Sequence, residues 1–214
     1  MIKNKSAFLP LSGFGLGVSP PLPVSVPAKE ECHCKSERLE LRILKPDSSS
    51  AVLDFYERNR NTLEPVEPLR PQYFYTITYQ SRNLTWEYNA FLKSKHIRYW
   101  MFRKNSNIPI GCVCFSEFQG GAFHRCMIGY KLDQTATGNG YMQEAIAFLL
   151  PLVAKHYEMH RFEAMVLPEN ESSIRLLEHL HFVREGYLHS FAQINGQYRD
   201  HLLYTYIVPD SSED

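Results

Sequence analysis

The chain has 214 residues, enough for one domain with a real core and too few for two full ones. Its 23 basic and 23 acidic residues cancel, so no global field favours nucleic acid or a membrane surface. No apolar run reaches the roughly 18 residues that a membrane helix requires.

Lys3 and Lys5 precede Ala7-Phe8-Leu9, as at the start of a signal peptide, but Pro10, Gly13, Gly15, Gly17, Pro20, Pro21 and Pro23 interrupt any apolar helical core. Residues 1–36 are therefore expected to form a flexible extension, and the chain to be cytoplasmic. Cys32-His33-Cys34 supplies too few ligands for zinc, and neighbours in an extended chain point apart, so no metal is expected. The five cysteines are odd in number. Cys112, Cys114 and Cys126 sit in apolar strand-like runs, where cysteine is a small buried hydrophobe in a reducing compartment.

Residues 38–44 alternate polar and apolar, the pattern of a half-buried strand. Pro46-Asp47-Ser48 signals a helix start, with Val52, Phe55 and Tyr56 on its apolar face and an end near Asn61. Pro65, Pro68 and Pro71 mark a loop. Residues 72–95 read as helical, with Phe74, Ile77, Thr78, Leu84, Tyr88 and Leu92 in phase. Three strands follow, over 97–103, 110–118 and 124–132, separated by Asn105-Ser106-Asn107 and Gly120-Gly121. A helix over 139–157 carries Met142, Ala145, Ile146, Leu149, Leu150 and Val153 on one face. A short strand, 162–167, leads to a helix over 170–180. Strands over 183–194 and 198–208 form a hairpin about Asn195-Gly196. The order implies an α+β fold with a mixed, mostly antiparallel sheet flanked by helices. The domain is expected to span 37–209, with an acidic tail over 210–214.

Two segments carry chemistry. In Thr137-Gly138-Asn139-Gly140-Tyr141-Met142, a glycine pair stands at the mouth of a helix, where outward N–H groups and the helix dipole suit an anionic phosphate chain. About thirty residues on, in Pro168-Glu169-Asn170-Glu171-Ser172-Ser173, Asn170 or Ser172 can cap the next helix, whose apolar face carries Ile174, Leu177 and Leu180. The phosphate-ready turn, helix, strand and Asn-x-x-Ser helix together resemble the GCN5-related N-acetyltransferases, over roughly residues 38–209. Asn59-Arg60-Asn61-Thr62-Leu63-Glu64-Pro65, Gly121-Ala122-Phe123-His124-Arg125-Cys126, Arg184-Glu185-Gly186-Tyr187 and Asn195-Gly196-Gln197-Tyr198-Arg199-Asp200-His201 look like the RimJ-type branch, the ribosomal-protein alanine N-acetyltransferases. The broader family often has Gln or Arg three residues before the first loop glycine. Here Thr135 holds that place, with Gln134 one position off.

The resemblance implies a sheet whose central strands splay, with the pantetheine of acetyl-CoA threading the gap beside Ile128, Tyr130 and Leu132. Gly129 is then the expected bulge residue. It also implies acetyl transfer to an amine, most naturally the N-terminal α-amine of a protein, with a ribosomal protein as the family's acceptor. A monomer or weak dimer is expected, without nucleic acid or membrane contacts. Alternatives are a small-molecule amine acetyltransferase and a non-catalytic acyl-CoA-binding module. An α-amine has a pKa near 7.7–8, against about 10.4 for lysine, so only a modest base is needed. Glu185 matches a family glutamate before glycine. Glu117, on the second of the three strands, is the other carboxylate, and a water chain is the third option. Ser173 matches the serine that faces the coenzyme sulfur, and Asn170 the residue that contacts the pantetheine. His201, His124, Tyr187 and Tyr204 read as structural, and Arg199 as paired to a carboxylate.

Overall fold

Period-two runs of apolar and aromatic residues set the strands, and the helices between them fall where the period changes to 3.6. The computed structural model describes residues 32–209. The acidic tail and all but the last few residues of the expected extension lie outside the described residues. The strands are β1 (His33–Lys35), β2 (Leu39–Ile43), β3 (His96–Arg103), β4 (Pro109–Gln119), β5 (Arg125–Leu132), β6 (Arg161–Val166), β7 (Val183–Ile194) and β8 (Gln197–Ile207). The helices are α1 (Ser49–Arg58), α2 (Arg60–Leu63), α3 (Ile77–Phe91), α4 (Tyr141–Tyr157) and α5 (Glu171–His179). Among the described residues the strands form one sheet, in the order β1-β2-β3-β4-β5-β6-β8-β7. β5 and β6 are parallel and every other neighbouring pair is antiparallel.

Alternation along the strands sends side chains to two different layers. Tyr99, Met101, Val113, Phe115, Ile128, Ala164 and Val166 join the α4 face of Met142, Ala145, Ile146, Leu149, Leu150 and Val153, and Leu177 of α5, in the larger core. Trp100, Phe102 and Cys112 face the other way, against Val52, Phe55 and Tyr56 of α1 and Leu84 of α3. The Asn195-Gly196 turn has φ of 46° and 81°, the left-handed pair that a two-residue hairpin turn demands.

Three expectations change. α3 starts at Ile77 rather than 72, with Thr76 capping it by accepting from the Tyr79 N–H at 3.2 Å. Its phase is also turned: Ile77 is exposed, and Gln80, Leu84, Glu87 and Phe91 are buried, because Arg98 of β3 takes Glu87 as its counter-ion at 3.2 Å. The expected bulge at Gly129 is absent, since Gly129 pairs regularly with Cys114. The bulge lies in β4, where Ser116 pairs with Met127 but Gln119 with Arg125, leaving one extra residue and Glu117 at φ 53°.

The third change concerns the N-terminal boundary. β1 lies inside the expected extension, pairs with β2, and buries Cys34. Next to it, the Ser36 hydroxyl and the Arg38 backbone N–H donate to Glu144 of α4 at 2.6 and 2.7 Å. Removal of residues 1–35 is therefore expected to lower unfolding stability by about 1–3 kcal/mol, the usual scale for losing a buried contact and strand pairing. Urea denaturation of the truncated chain measures this, and an unchanged midpoint would show that β1 contributes nothing.

Candidate active site

Parallel pairing between β5 and β6 stops early. Arg125, Cys126 and Met127 pair with Arg161, Phe162 and Glu163, and pairing goes no further. Beyond Met127 the β6-facing backbone of β5 has no strand partner, and the two strands part. A cavity opens on each side of the gap. One, of about 580 Å³, is lined by Tyr130, Leu132, Gln134, Thr137, Gly138, Gly140, Tyr141 and Met142 with the first turn of α5. The other, of about 570 Å³, is lined by Arg98, Cys114, Ser116, Gly129, Met165 and His201, under the loop after α2. Leu63, Val66, Tyr130, Lys131, Leu167, Asn170 and Ser173 line both, so the cavities meet at a neck through the sheet.

The first cavity ends at the mouth of α4. Gly138 and Gly140 have φ of 76° and 73°, where a side chain is strained. Gly140 is the N-cap and brings no side-chain acceptor, so the first N–H groups of the helix have no intrahelical partner. Arg38 braces the turn. Its guanidinium donates to the Asn139 carbonyl at 2.9 Å and to Glu144 at 2.6 Å, and lies 4.9 Å from the Tyr141 ring centre. Burial alone would raise the Glu144 carboxyl, but bonds from Ser36 and Arg38 hold it below its ordinary value. Asn139 turns inward, donating to the Thr137 carbonyl at 2.9 Å. Asn59 fixes the approach: its side chain accepts from Gln134 N–H at 3.0 Å and donates to Asp133 at 3.2 Å. Thr135 is likewise tied to Asp133, at 2.7 Å, whereas Gln134 lines the cavity. The one-place offset in sequence thus still puts the Gln beside the phosphate-ready turn. An unbranched anionic chain fits this arrangement: open N–H groups at the helix mouth, then an unpaired strand edge toward the neck.

At the neck, Asn170 caps α5 by accepting from the Ser173 N–H at 3.1 Å. Tyr130 faces it from β5. Its hydroxyl oxygen is buried and has no hydrogen-bond partner. Burial pushes the phenol up to about 12, and the nearby Ser173 hydroxyl tempers that rise without completing a hydrogen bond.

At the second cavity one carboxylate, Glu67, is shared by two cations. Lys131 reaches Glu67 at 2.5 Å, and Arg70 also binds Glu67. Burial would raise the Glu67 carboxyl, but Lys131 and Arg70 outweigh it and keep it lowered. His201 is buried, with Nδ1 3.1 Å from the Arg199 carbonyl. A carbonyl only accepts, so Nδ1 is the donor in this contact. Burial raises the Cys112 thiol to about 11 and also raises that of Cys114, so neither supplies a thiolate nucleophile.

The structure brings Ile128, Tyr130, Leu132, Thr137, Gly138, Gly140, Tyr141, Met142, Asn170 and Ser173 to the two cavities. It does not bring Asn139, Glu185 or Glu117 to either. Glu185 lies toward the closed end of the strand pair, bound by Arg161 at 2.6 and 3.0 Å and by the Thr205 hydroxyl at 2.6 Å, which together hold its carboxyl low. Glu117 is exposed on the bulge and lines a separate groove. His124 bonds the Glu158 carbonyl at 2.7 Å, Tyr204 donates to Glu178 at 3.0 Å, Tyr187 to Asp200 at 2.9 Å, and Arg199 pairs with Glu169. Sequence reading passed over Arg98, Lys131 and Glu67. The first two had a signal, a lone charge inside an apolar strand. Glu67, in a proline-rich loop, had none.

A family model described as the acetyltransferase (GNAT) domain matches residues 38–183. The chain belongs to the GNAT acetyltransferase family. It is 33% identical over 177 residues to the [ribosomal protein uS5]-alanine N-acetyltransferase of Escherichia coli K12, covering 82% of this chain and 90% of that protein. A crystal structure of the ribosomal-protein-S5-alanine acetyltransferase of Vibrio fischeri is 29% identical and superposes with a TM-score of 0.78, over 83% of this chain and 97% of that one. RimJ of Mycobacterium smegmatis in complex with CoA-disulfide, 23% identical, shares the fold with a TM-score of 0.76, over 82% and 85% of the two chains.

Gly129 offers a way to separate the two cavities. A Cβ built there meets nothing within 4 Å, and the residue lines only the second. Gly129→Val is expected to fold normally, to leave binding in the first cavity unchanged, and to raise KM for an amine acceptor by at least about tenfold, the effect of losing roughly 1.4 kcal/mol of binding. Calorimetry with the coenzyme beside acceptor kinetics reads both, and an unchanged KM would remove the second cavity as the acceptor site.

Proposed function

We propose that this chain transfers the acetyl group of acetyl-CoA to the N-terminal α-amine of a protein, with a ribosomal protein as the acceptor class. The observation that carries the reading is the neck: two cavities reach the same few side chains from opposite faces of the sheet. The phosphate end of the coenzyme belongs at the α4 mouth and its pantetheine along the free edge of β5. The acceptor amine belongs in the second cavity. The likeness to the uS5-alanine acetyltransferase of E. coli supports a ribosomal acceptor.

In this reading the amine nitrogen attacks the thioester carbon, the C–S bond breaks, and sulfur keeps the electron pair. Holding both reactants at one neck supplies most of what the reaction needs. Ser173 and Tyr130 present hydroxyls where charge develops on sulfur, and Asn170 positions the Ser173 turn. The amine proton leaves toward His201, directly or through water, because His201 lines that cavity and its Nδ1 is engaged by the Arg199 carbonyl. Glu185 instead fixes Arg161. Glu185→Gln is therefore expected to leave the shape of the pH–rate profile unchanged, whereas His201→Gln should lower the rate and change that shape. A profile altered by Glu185→Gln and not by His201→Gln would return the base to Glu185.

Labelled acetyl-CoA tested against peptides with free N-termini, the same peptides blocked at the N-terminus, and free amines checks the acceptor. Label is expected on the free α-amine alone. Transfer to lysine side chains or small amines in preference would overturn the reading.

Tyr130→Phe removes one oxygen that is unpaired without ligand. It is expected to leave the stability of the free protein equal or higher, since a buried unsatisfied hydroxyl costs about 1–3 kcal/mol. The same change should lower kcat about tenfold to a hundredfold, the effect of losing one hydrogen bond to a developing charge. Thermal unfolding and kcat are the two measurements. A variant that is less stable and equally active would show that the hydroxyl is structural.

A further inference from the structure

The roof of the acceptor cavity is closed on one side. The Asn195 backbone N–H, in the β7–β8 turn, donates to the Glu67 carbonyl at 2.9 Å. Leu69 packs over Gly196, its Cδ1 only 3.2 Å from where a Cβ would stand. Arg70 binds Glu67 and stacks on Phe74 and Tyr56 at 4.3 and 4.8 Å. The loop after α2 and the β7–β8 hairpin are thus latched together, and a polypeptide whose first residue sits in the cavity has no exit between them.

At the other end the cavity adjoins a groove. Ser116 lines the acceptor cavity and also a groove of about 400 Å³ bounded by Trp86, Asn89, Lys93, Lys95, His96 and Glu117. The partition between them is thin. The Cys114 sulfur, on the cavity side, lies 3.5 Å from Nε2 of His96, on the groove side. The β4 bulge sits at this point and turns Glu117 outward. Trp86 lies tilted against His96 with ring centres 5.1 Å apart, yet stays 58% exposed. Burial, reinforced by Arg98, lowers His96 to about 4, so it is neutral and does not add to the charge. Lys93 and Lys95 are exposed, and Glu117 is the only carboxylate lining the groove.

We infer that the groove bounded by Trp86, Lys93 and Lys95 holds the acceptor polypeptide downstream of its N-terminal residues, and favours an acidic side chain there. This rests on the N-terminal acetyl-transfer reading. Continuity through Ser116 supplies the path, Trp86 an aromatic platform for the chain, and the two lysines the sign of the charge. Such a subsite lets the enzyme recognise a particular protein end while the catalytic neck meets only its first residue.

The test compares a tripeptide amide with a decapeptide of the same start, the decapeptide made with either acidic or basic residues beyond its third position. The wild type is expected to show a lower KM for the acidic decapeptide than for the tripeptide or the basic decapeptide. Trp86→Ala should raise KM for the acidic decapeptide about tenfold, as for the loss of an aromatic anchor, with no change for the tripeptide and no change in kcat. Lys93→Glu with Lys95→Glu should reverse the preference between the two decapeptides, an effect that weakens as salt is raised. Equal KM values for all three peptides in the wild type, or a Trp86→Ala change shared by the tripeptide, would overturn the inference while leaving acetyl transfer standing. A wild type that transfers no acetyl group to any of them would overturn the reading beneath it.

Discussion

Everything in this molecule follows from the failure of one strand pair to continue. β5 and β6 share three residue pairs and then separate. A continuous sheet would keep its two faces apart, and nothing bound on one could react with anything bound on the other. The gap costs backbone pairing that a sheet normally makes, and unpaired buried backbone groups are not tolerated without a partner. In the function proposed above, an extended amide chain of the coenzyme meets that need by adding to the free strand edge. The separation is held from outside: Arg161 and Arg125 bind Glu163 and fasten the closed end, and the α5 cap at Asn170 wedges the open one.

The same division of labour explains where sequence was readable. The α4 stripe is a local pattern, and all six positions assigned to its apolar face are buried. Asn195-Gly196 is local too, since the turn's own φ values demand those residues. The glycine pair at the α4 mouth shows both left-handed φ values, visible in sequence because few other residues take them. Through these features the family was legible before any coordinates.

What was not legible depends on partners far along the chain. The phase of α3 turns on whether position 87 is paid for by a charge, and that charge is Arg98 on a neighbouring strand. Glu185 looks like a base when read beside Gly186, because a local motif cannot show Arg161, twenty-four residues earlier, closing on both its oxygens. The bulge at Glu117 has no glycine to announce it, whereas Gly129, which looked like a bulge residue, serves by leaving space in a cavity.

The chain also spends stability where the ligands meet. Tyr130 leaves a buried hydroxyl unpaired at the neck, and Arg98 leaves its Nε unpaired at the wall of the second cavity. A protein selected for stability alone would fill such places with phenylalanine or an aliphatic side chain, since an orphaned polar group costs more than its removal. Two of the unpaired buried polar atoms thus stand on the cavity walls, while Gln80 Oε1 and Trp100 Nε1 are unpaired away from them, in the packing of α3 and α1 on the sheet. Glu67 obeys the same logic from the other side: Lys131 and Arg70 both bind it, so its charge is satisfied within the protein and needs no ligand.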